Sequence, residues 1–407
     1  MDRSTWVRPL LALTTIMAMS LPGAGVIAAE PDGSVALDEA LIAEVIEVLQ
    51  ESYVDDDVIT SDTLSIGAIR GIVEALGDDG HTEYLTEDEY RVEQEVLKGR
   101  VVGVGIVLDQ RSSAPRVISV VDGSPAARAG LRAGDIIASV DDVETARLPL
   151  GELADLVRGE PGTPVSLGIE RAGSEERKVV SVVREVVEVD PVSWAMAPGS
   201  DVAVIRVVQF SVGSGHQVRD AVEDAIGFGA VGIVLDLRGN PGGLVNETLN
   251  AASAFLDDGV VFLERARDEA PVDVSVDPGR AVDADIPVVV LADYGTASSG
   301  EILAAALRDN GRAIIVGEQT FGTGTILNTL RLSDGSALRL GVREWLTPSG
   351  ERVFRTGVTP DERVPLPPGA IRLGPADLLA LTAADFEAAD DVQLRRAVRM
   401  VEAAVAA

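Results

Sequence analysis

The 407-residue chain has no cysteine, two histidines, two lysines and only 3% aromatic residues. Without cysteine there can be no disulfide, no thiolate metal ligand and no cysteine nucleophile. His81 and His216 are the only imidazoles, and Lys98 and Lys178 the only side-chain amines, that chemistry can draw on. With few rings, the cores must be filled by Val, Ile, Leu and Ala. Basic residues are also few, 34 against 66 acidic, and the net charge of -32 repels phosphate backbones. That excludes nucleic acid as an expected partner and favours solubility outside the cell. No metal and no cofactor is expected.

Long apolar runs are missing too. The one candidate, Leu10 to Leu21, falls short of the ~20 residues of a spanning helix. It follows Arg3 and Arg8 and precedes Ala28-Ala29, the order of a cleavable export signal over 1–29. The expected location is therefore exported, periplasmic or extracellular and associated with the cell envelope, with no membrane span left after cleavage. A length of 407 residues leaves room for two or three cores.

Residues 36–98 place apolar side chains at helical spacing, as in Leu41, Val45, Val48 and Leu49, then Ile66, Ile69, Val73 and Leu76. This helical segment runs into Leu76-Gly77-Asp78-Asp79-Gly80-His81-Thr82-Glu83-Tyr84-Leu85, a stretch of turn formers carrying a histidine. Over 101–187 short β-like runs alternate with glycine turns. From 191 to 367 aliphatic runs such as Gly232-Ile233-Val234-Leu235-Asp236-Leu237 and Ile286-Pro287-Val288-Val289-Val290-Leu291 alternate with helix-like segments. Such runs predict a sheet covered on both faces, the α/β class. Residues 375–407 read as an alanine-rich helical tail.

Three short segments carry the chemistry. Asp236-Leu237-Arg238-Gly239-Asn240-Pro241-Gly242-Gly243 joins a strand to a helix, where glycine N–H groups can face an anion. Gly295-Thr296-Ala297-Ser298-Ser299-Gly300-Glu301 sets serines before the apolar run that starts at Ile302. Gly317-Glu318-Gln319-Thr320-Phe321-Gly322-Thr323-Gly324 follows.

In this order, with Leu332-Ser333-Asp334-Gly335 and Gly357-Val358-Thr359-Pro360-Asp361 behind them, the segments resemble the C-terminal processing, or tail-specific, serine peptidases of the S41 type. The likeness covers roughly residues 40 to 367. It implies a ClpP/crotonase-like α/β catalytic core with an inserted PDZ domain and an N-terminal helical segment. It also implies Ser298 as nucleophile, with Ser299 the alternative, and oxyanion donors among Gly242, Gly243 and Ser299. Asp309 falls where some members carry a supporting acid; a solvent-facing helix residue is the other reading of it. The run Ser124-Pro125-Ala126…Gly130-Leu131…Gly134-Asp135 resembles a PDZ domain. There the loop of Val102, Gly103, Val104 and Gly105 would receive a terminal carboxylate, Ile106 would open the strand to which the peptide adds, and Leu153 and Val157 would line the groove. The implied partners are proteins or peptides with free C-termini, and a homo-oligomer is left open.

The sequence departs from the family at one position, since Thr323 stands where the family's general-base lysine belongs. A threonine hydroxyl cannot act as a base near neutral pH. Lys98 and Lys178 lie outside the core segment, so the expected base is a histidine. His81, whose surroundings resemble the corresponding segment of tricorn-type relatives, is preferred to His216. No residue matches the tricorn-type acidic partner; Phe354-Arg355-Thr356 occupies its place, with Glu351 and Asp309 as weak substitutes. A catalytically silent homologue that binds C-terminal peptides, or a PDZ chaperone, is the competing expectation.

Overall fold

The computed structural model describes residues 37–77, 82–109, 115–121, 123–132, 134–146, 148, 150–171, 176–367 and 370–406. The expected export signal and His81 lie outside the described residues. The chain opens with helices α1 (Glu39–Ser52) and α2 (Ser61–Glu74), capped by the Asp38 and Thr60 side chains. Strand β1 (Glu83–Leu85) and helix α3 (Glu87–Leu97) follow. A reciprocal pair of bonds between Thr86 and Glu89 starts α3.

The next unit runs through β2 (Arg100–Gly103), β3 (Ile106–Asp109), β4 (Arg116–Val120), α4 (Pro125–Arg128), β5 (Ile136–Val140), β6 (Val143–Glu144), α5 (Leu150–Val157), β7 (Pro164–Glu170), β8 (Lys178–Val183) and β9 (Glu185–Glu188). Its sheet has the order β3-β4-β5-β7-β8, which leaves β3 at an edge. The expected Val102–Gly105 loop is divided between a strand and a turn. Gly105 turns the chain at φ 82°, and β2 leaves the sheet to pair with β9, Val102 opposite Val186 and Gly103 opposite Glu185. This antiparallel ribbon carries the chain into and out of the unit.

The α/β core contains β10 (Val192–Met196), β11 (Val202–Val207), α6 (Ser214–Gly227), β12 (Gly232–Asp236), α7 (Val245–Ala252), β13 (Val260–Arg265), β14 (Val272–Ser275), β15 (Val288–Ala292), α8 (Ser299–Asp309), β16 (Ala313–Gly317), β17 (Thr325–Arg331), β18 (Ala337–Leu346) and β19 (Glu362–Arg363). One sheet has the order β10-β11-β12-β15-β16-β19, parallel from β11 onward. Because strand side chains alternate between faces, each aliphatic strand supplies two layers. Ile233, Leu235, Val288 and Val290 join Ile302, Leu303 and Leu307 of α8 on one side. Val234, Val289 and Leu291 point the other way, to Leu394, Val398 and Val401.

Those last three belong to α11 (Val392–Val405), which follows α9 (Pro375–Leu378) and α10 (Ala383–Ala388). The C-terminal helical stretch is thus a layer of the core. A buried ion network fastens it: Arg238 bonds Asp236 at 2.8 Å and Asp391 at 2.8 Å, all three enclosed. The second sheet, β1-β18-β13-β14 with β17 also on β18, brings β1 of the N-terminal segment onto the core. Buried Arg339 of β18 grips Glu83 of β1 and Glu93 of α3.

Candidate active site

Ser298 stands between strand β15 and helix α8 with φ 48° and ψ -116°, a backbone conformation few non-glycine residues adopt. The turn is tied at both ends. Asp293 accepts from the N–H groups of Gly239 and Gly295, both at 2.9 Å, and Arg372 holds its other oxygen at 2.6 Å. Thr296 donates to the Leu237 carbonyl at 2.8 Å, and the Ala297 N–H to Asn240 at 2.9 Å. The Gly239–Gly243 turn and the serine turn are therefore cross-bonded into one surface.

That surface separates the three expected oxyanion donors. Gly242 is spent, because its N–H donates to the Asn240 side chain at 2.8 Å. Among the described residues the N–H groups of Gly243 and Ser299 have no acceptor. Gly243 must be glycine: its φ is 137°, and a Cβ would lie 2.2 Å from the Phe210 carbonyl oxygen. Ser299 is fully buried and donates through Oγ to the Gly243 carbonyl at 3.0 Å, which leaves Ser298 as the serine whose hydroxyl has no such structural duty.

The residue that organises this centre is Glu301, which went unassigned in the sequence although Ser298-x-x-Glu301 has the spacing of a capping box. Its carboxylate is fully enclosed and accepts four bonds: from the Ser298 N–H at 2.8 Å, the Thr323 N–H at 2.8 Å, the Gly322 N–H at 2.8 Å and the Thr320 hydroxyl at 2.5 Å. Burial pushes its pKa up to about 7 against the pull of those donors.

Thr323, at the place of the family lysine, is buried beside Ser298 through this shared carboxylate, and its carbonyl accepts from Trp345 Nε1 at 2.6 Å. Lys98 is paired with Glu95 at 2.9 Å on the surface of α3, and Lys178 opens β8 in the inserted unit. His216 is exposed near the start of α6, in a cleft with Arg219, Glu223 and Arg280.

Asp309 is a correction. It ends the eleven-residue helix that Ser299 begins, about 16 Å away at ~1.5 Å per residue. Burial works against its charge, but bonds from Arg308 and Ser349 hold its pKa below the usual carboxylate range. Glu351 pairs with the same Arg308 at 3.1 Å. Both acids brace the far end of α8 and neither meets Ser298.

His81 lies outside the described residues, but its neighbours are anchored. Arg355, where an acidic partner was sought, has φ 63°; its N–H donates to Gly322 at 2.8 Å and its guanidinium to the Gly77 carbonyl at 2.5 Å. On the other side the Gly341 N–H donates to the Thr82 hydroxyl at 3.3 Å.

In the inserted unit, Val102 and Gly103 are taken up by the β2–β9 ribbon, so the expected carboxylate loop narrows to Val104, Gly105 and Ile106. The carbonyls of Val104 and Gly105 accept from Ala126 and Val121. Leu153 and Val157 are core residues, packed with Ile137, Val165 and Leu167; Leu153 is 0% exposed.

A family model described as peptidase family S41 matches residues 201–364, and a PDZ-domain model matches residues 116–171. A carboxy-terminal-processing protease of Bartonella bacilliformis is 33% identical over 337 residues, 81% of this chain and 76% of that protein. The chain belongs to peptidase family S41. A probable CtpA-like serine protease of Staphylococcus aureus (strain bovine RF122 / ET3-1) is 35% identical over 328 residues, 80% of this chain; the match spans 64% of that relative's length. Among solved structures, the photosystem II D1 C-terminal processing protease matches with TM-score 0.54 and 27% identity, over 85% of this chain and 100% of that one. The S41 α/β core with its inserted PDZ domain is thus the architecture of this chain. Among the described residues no helix is long and apolar enough to cross a membrane.

Proposed function

We infer that this S41 chain is an exported, envelope-associated serine endopeptidase that recognises the free C-termini of protein substrates. The observation that carries the reading is Ser298, held in a strained turn at a helix N-terminus beside the N–H groups of Gly243 and Ser299, which have no acceptor among the described residues. In the reaction the Ser298 hydroxyl attacks a peptide carbonyl, His81 takes its proton, and the two N–H groups hold the oxyanion. The free edge of β3 suits a peptide added as a further strand, with its carboxylate at the Val104–Ile106 loop.

A test combines both parts. An unfolded substrate ending in an apolar residue should be cleaved, its C-terminally amidated form should bind more weakly by calorimetry, and Ser298→Ala should bind without cleaving. Equal binding of acid and amide would remove the PDZ assignment; cleavage by Ser298→Ala would remove the nucleophile. The second reading, a peptide-binding adaptor without turnover, is favoured by Thr323 at the lysine's place. Wild-type protein that binds the acid peptide and cleaves nothing from pH 5 to 10 would establish it.

A further inference from the structure

Most buried carboxylates elsewhere among the described residues are met by arginine, Asp236 and Asp391 by Arg238, Asp293 by Arg372, Glu93 by Arg339 and Asp135 by Arg171, while Glu247 accepts a single bond from the Gly215 N–H at 2.9 Å. Glu301 is different. At 0% exposure its two oxygens are satisfied by neutral donors alone, two on each. Burying a carboxylate without a cation is costly unless its hydrogen-bonding capacity is filled. A neutral amide would not serve, because its NH2 group would confront N–H donors. The four bonds join the Ser298 turn to the 320–323 segment, alongside the bond from the Phe321 N–H to the Thr296 carbonyl at 3.0 Å. Oε2 bridges the Ser298 and Thr323 N–H groups; Oε1 takes Gly322 and Thr320, whose hydroxyl oxygen in turn accepts from the Val358 N–H at 2.6 Å.

We propose that Glu301 is a positioning residue of the catalytic centre: its ionised carboxylate holds the Ser298 backbone in the strained conformation that aims the hydroxyl and locks it to the Gly322–Thr323 turn. The inference rests on Ser298 being the nucleophile. A proton on either oxygen replaces an acceptor with a donor that faces other donors, so one of the four bonds must break and the Ser298 turn loosens. The groups facing the carboxylate are the Thr320 hydroxyl and the three backbone N–H groups, with no charged side chain bonded to it among the described residues. Because burial raises this pKa to about 7, the carboxylate titrates in the same window as an ordinary histidine base. A rise of activity through neutral pH is therefore not by itself the signature of His81.

The experiment compares wild type, Glu301→Gln, Thr320→Val, Thr320→Ser and Ser298→Ala by steady-state cleavage across pH and by labelling of Ser298 with a small fluorophosphonate, followed by mass. Ser298→Ala must lose cleavage and labelling; if it does not, the nucleophile reading fails on its own, apart from Glu301. Glu301→Gln should lower kcat about 10- to 100-fold with KM little changed, since substrate contacts are not removed. Thr320→Val, which deletes one donor to the charged form, should move one limb of the pH profile upward by about one unit. Thr320→Ser keeps the hydroxyl and should return that limb toward its original position. Wild-type kcat and pH profile in Glu301→Gln would overturn the proposal. If Glu301→Gln does not fold, an unmoved profile in folded Thr320→Val overturns it, and a moved one supports it.

Discussion

Arg355 donates to the carbonyl of Gly77 across 278 residues of sequence, and does so from a left-handed backbone that simultaneously donates to Gly322. Gly322 is bonded to Glu301, and Glu301 to Ser298. One arginine thus connects Gly77, four residues before His81, with the turn that carries Ser298.

The substitution that isolates its side chain is Arg355→Gly, because glycine accepts φ 63° without strain. Relief of a left-handed residue, about 1 kcal/mol, offsets the lost hydrogen bond, so Tm should hardly change. The kcat/KM for an unfolded protein should fall roughly 5- to 20-fold as the bond to Gly77, four residues before His81, is lost. Unchanged kcat/KM would mean that the anchor does not position the base.

The two adjacent serines differ in duty and should differ in kinetics. Ser298→Ala should abolish turnover. Ser299→Ala removes only the 3.0 Å bond to Gly243, worth about 1 kcal/mol, and should slow kcat by less than about 10-fold. The reverse ranking, read from initial rates at saturating substrate, would exchange their roles.

Glu93 makes the docking of α3 sensitive to pH. Burial raises its pKa from 4.5 to about 7, against the pull of Arg339, and its Oε2 has no partner among the described residues. The folded chain therefore binds this proton more tightly than the unfolded chain. Its stabilising contribution is present below 4.5 and is lost as pH rises through about 7, at ~1.4 kcal/mol per unit. Glu93→Gln should flatten the fall in Tm between pH 5 and pH 7.5; an unaltered slope in calorimetric melts would show that Glu93 keeps its proton in neither state.

The α/β core was legible because continuous aliphatic strands report two covered faces, and the order of glycine and serine turns singled out Ser298, Gly243 and Ser299, which the fold brings to one surface. What sequence spacing misplaced was set by through-space bonding. Asp309 reads as near Ser298 until the rise of α8 carries it to the far end. Gly242 loses its N–H to Asn240, two residues back but bent around the turn. Glu301 was assigned no role, because its bonds to Thr320, Gly322 and Thr323 depend on the second loop folding over it. The Val102–Gly105 segment, read as one carboxylate loop, divides because β2 pairs Val102 and Gly103 with β9 before Gly105 turns the chain.

The remaining question is the base, and it is decided by variants rather than by the wild-type profile, since Glu301 and a histidine titrate together. His81→Ala should remove activity at every pH while leaving fluorophosphonate labelling of Ser298 measurable but slow, because a reactive reagent needs less help from a base. In that background Thr323→Lys puts the family's amine within the enclosed space next to Ser298. The enclosure lowers a lysine pKa and the Glu301 carboxylate raises it. Recovered activity should therefore be partial and should rise on the alkaline side, above the neutral limb of the wild type. Full activity in His81→Ala would dismiss the histidine. A double variant that stays silent while Thr323→Lys alone retains wild-type turnover would leave His81 as the base and show that an amine at 323 does not reach the serine proton.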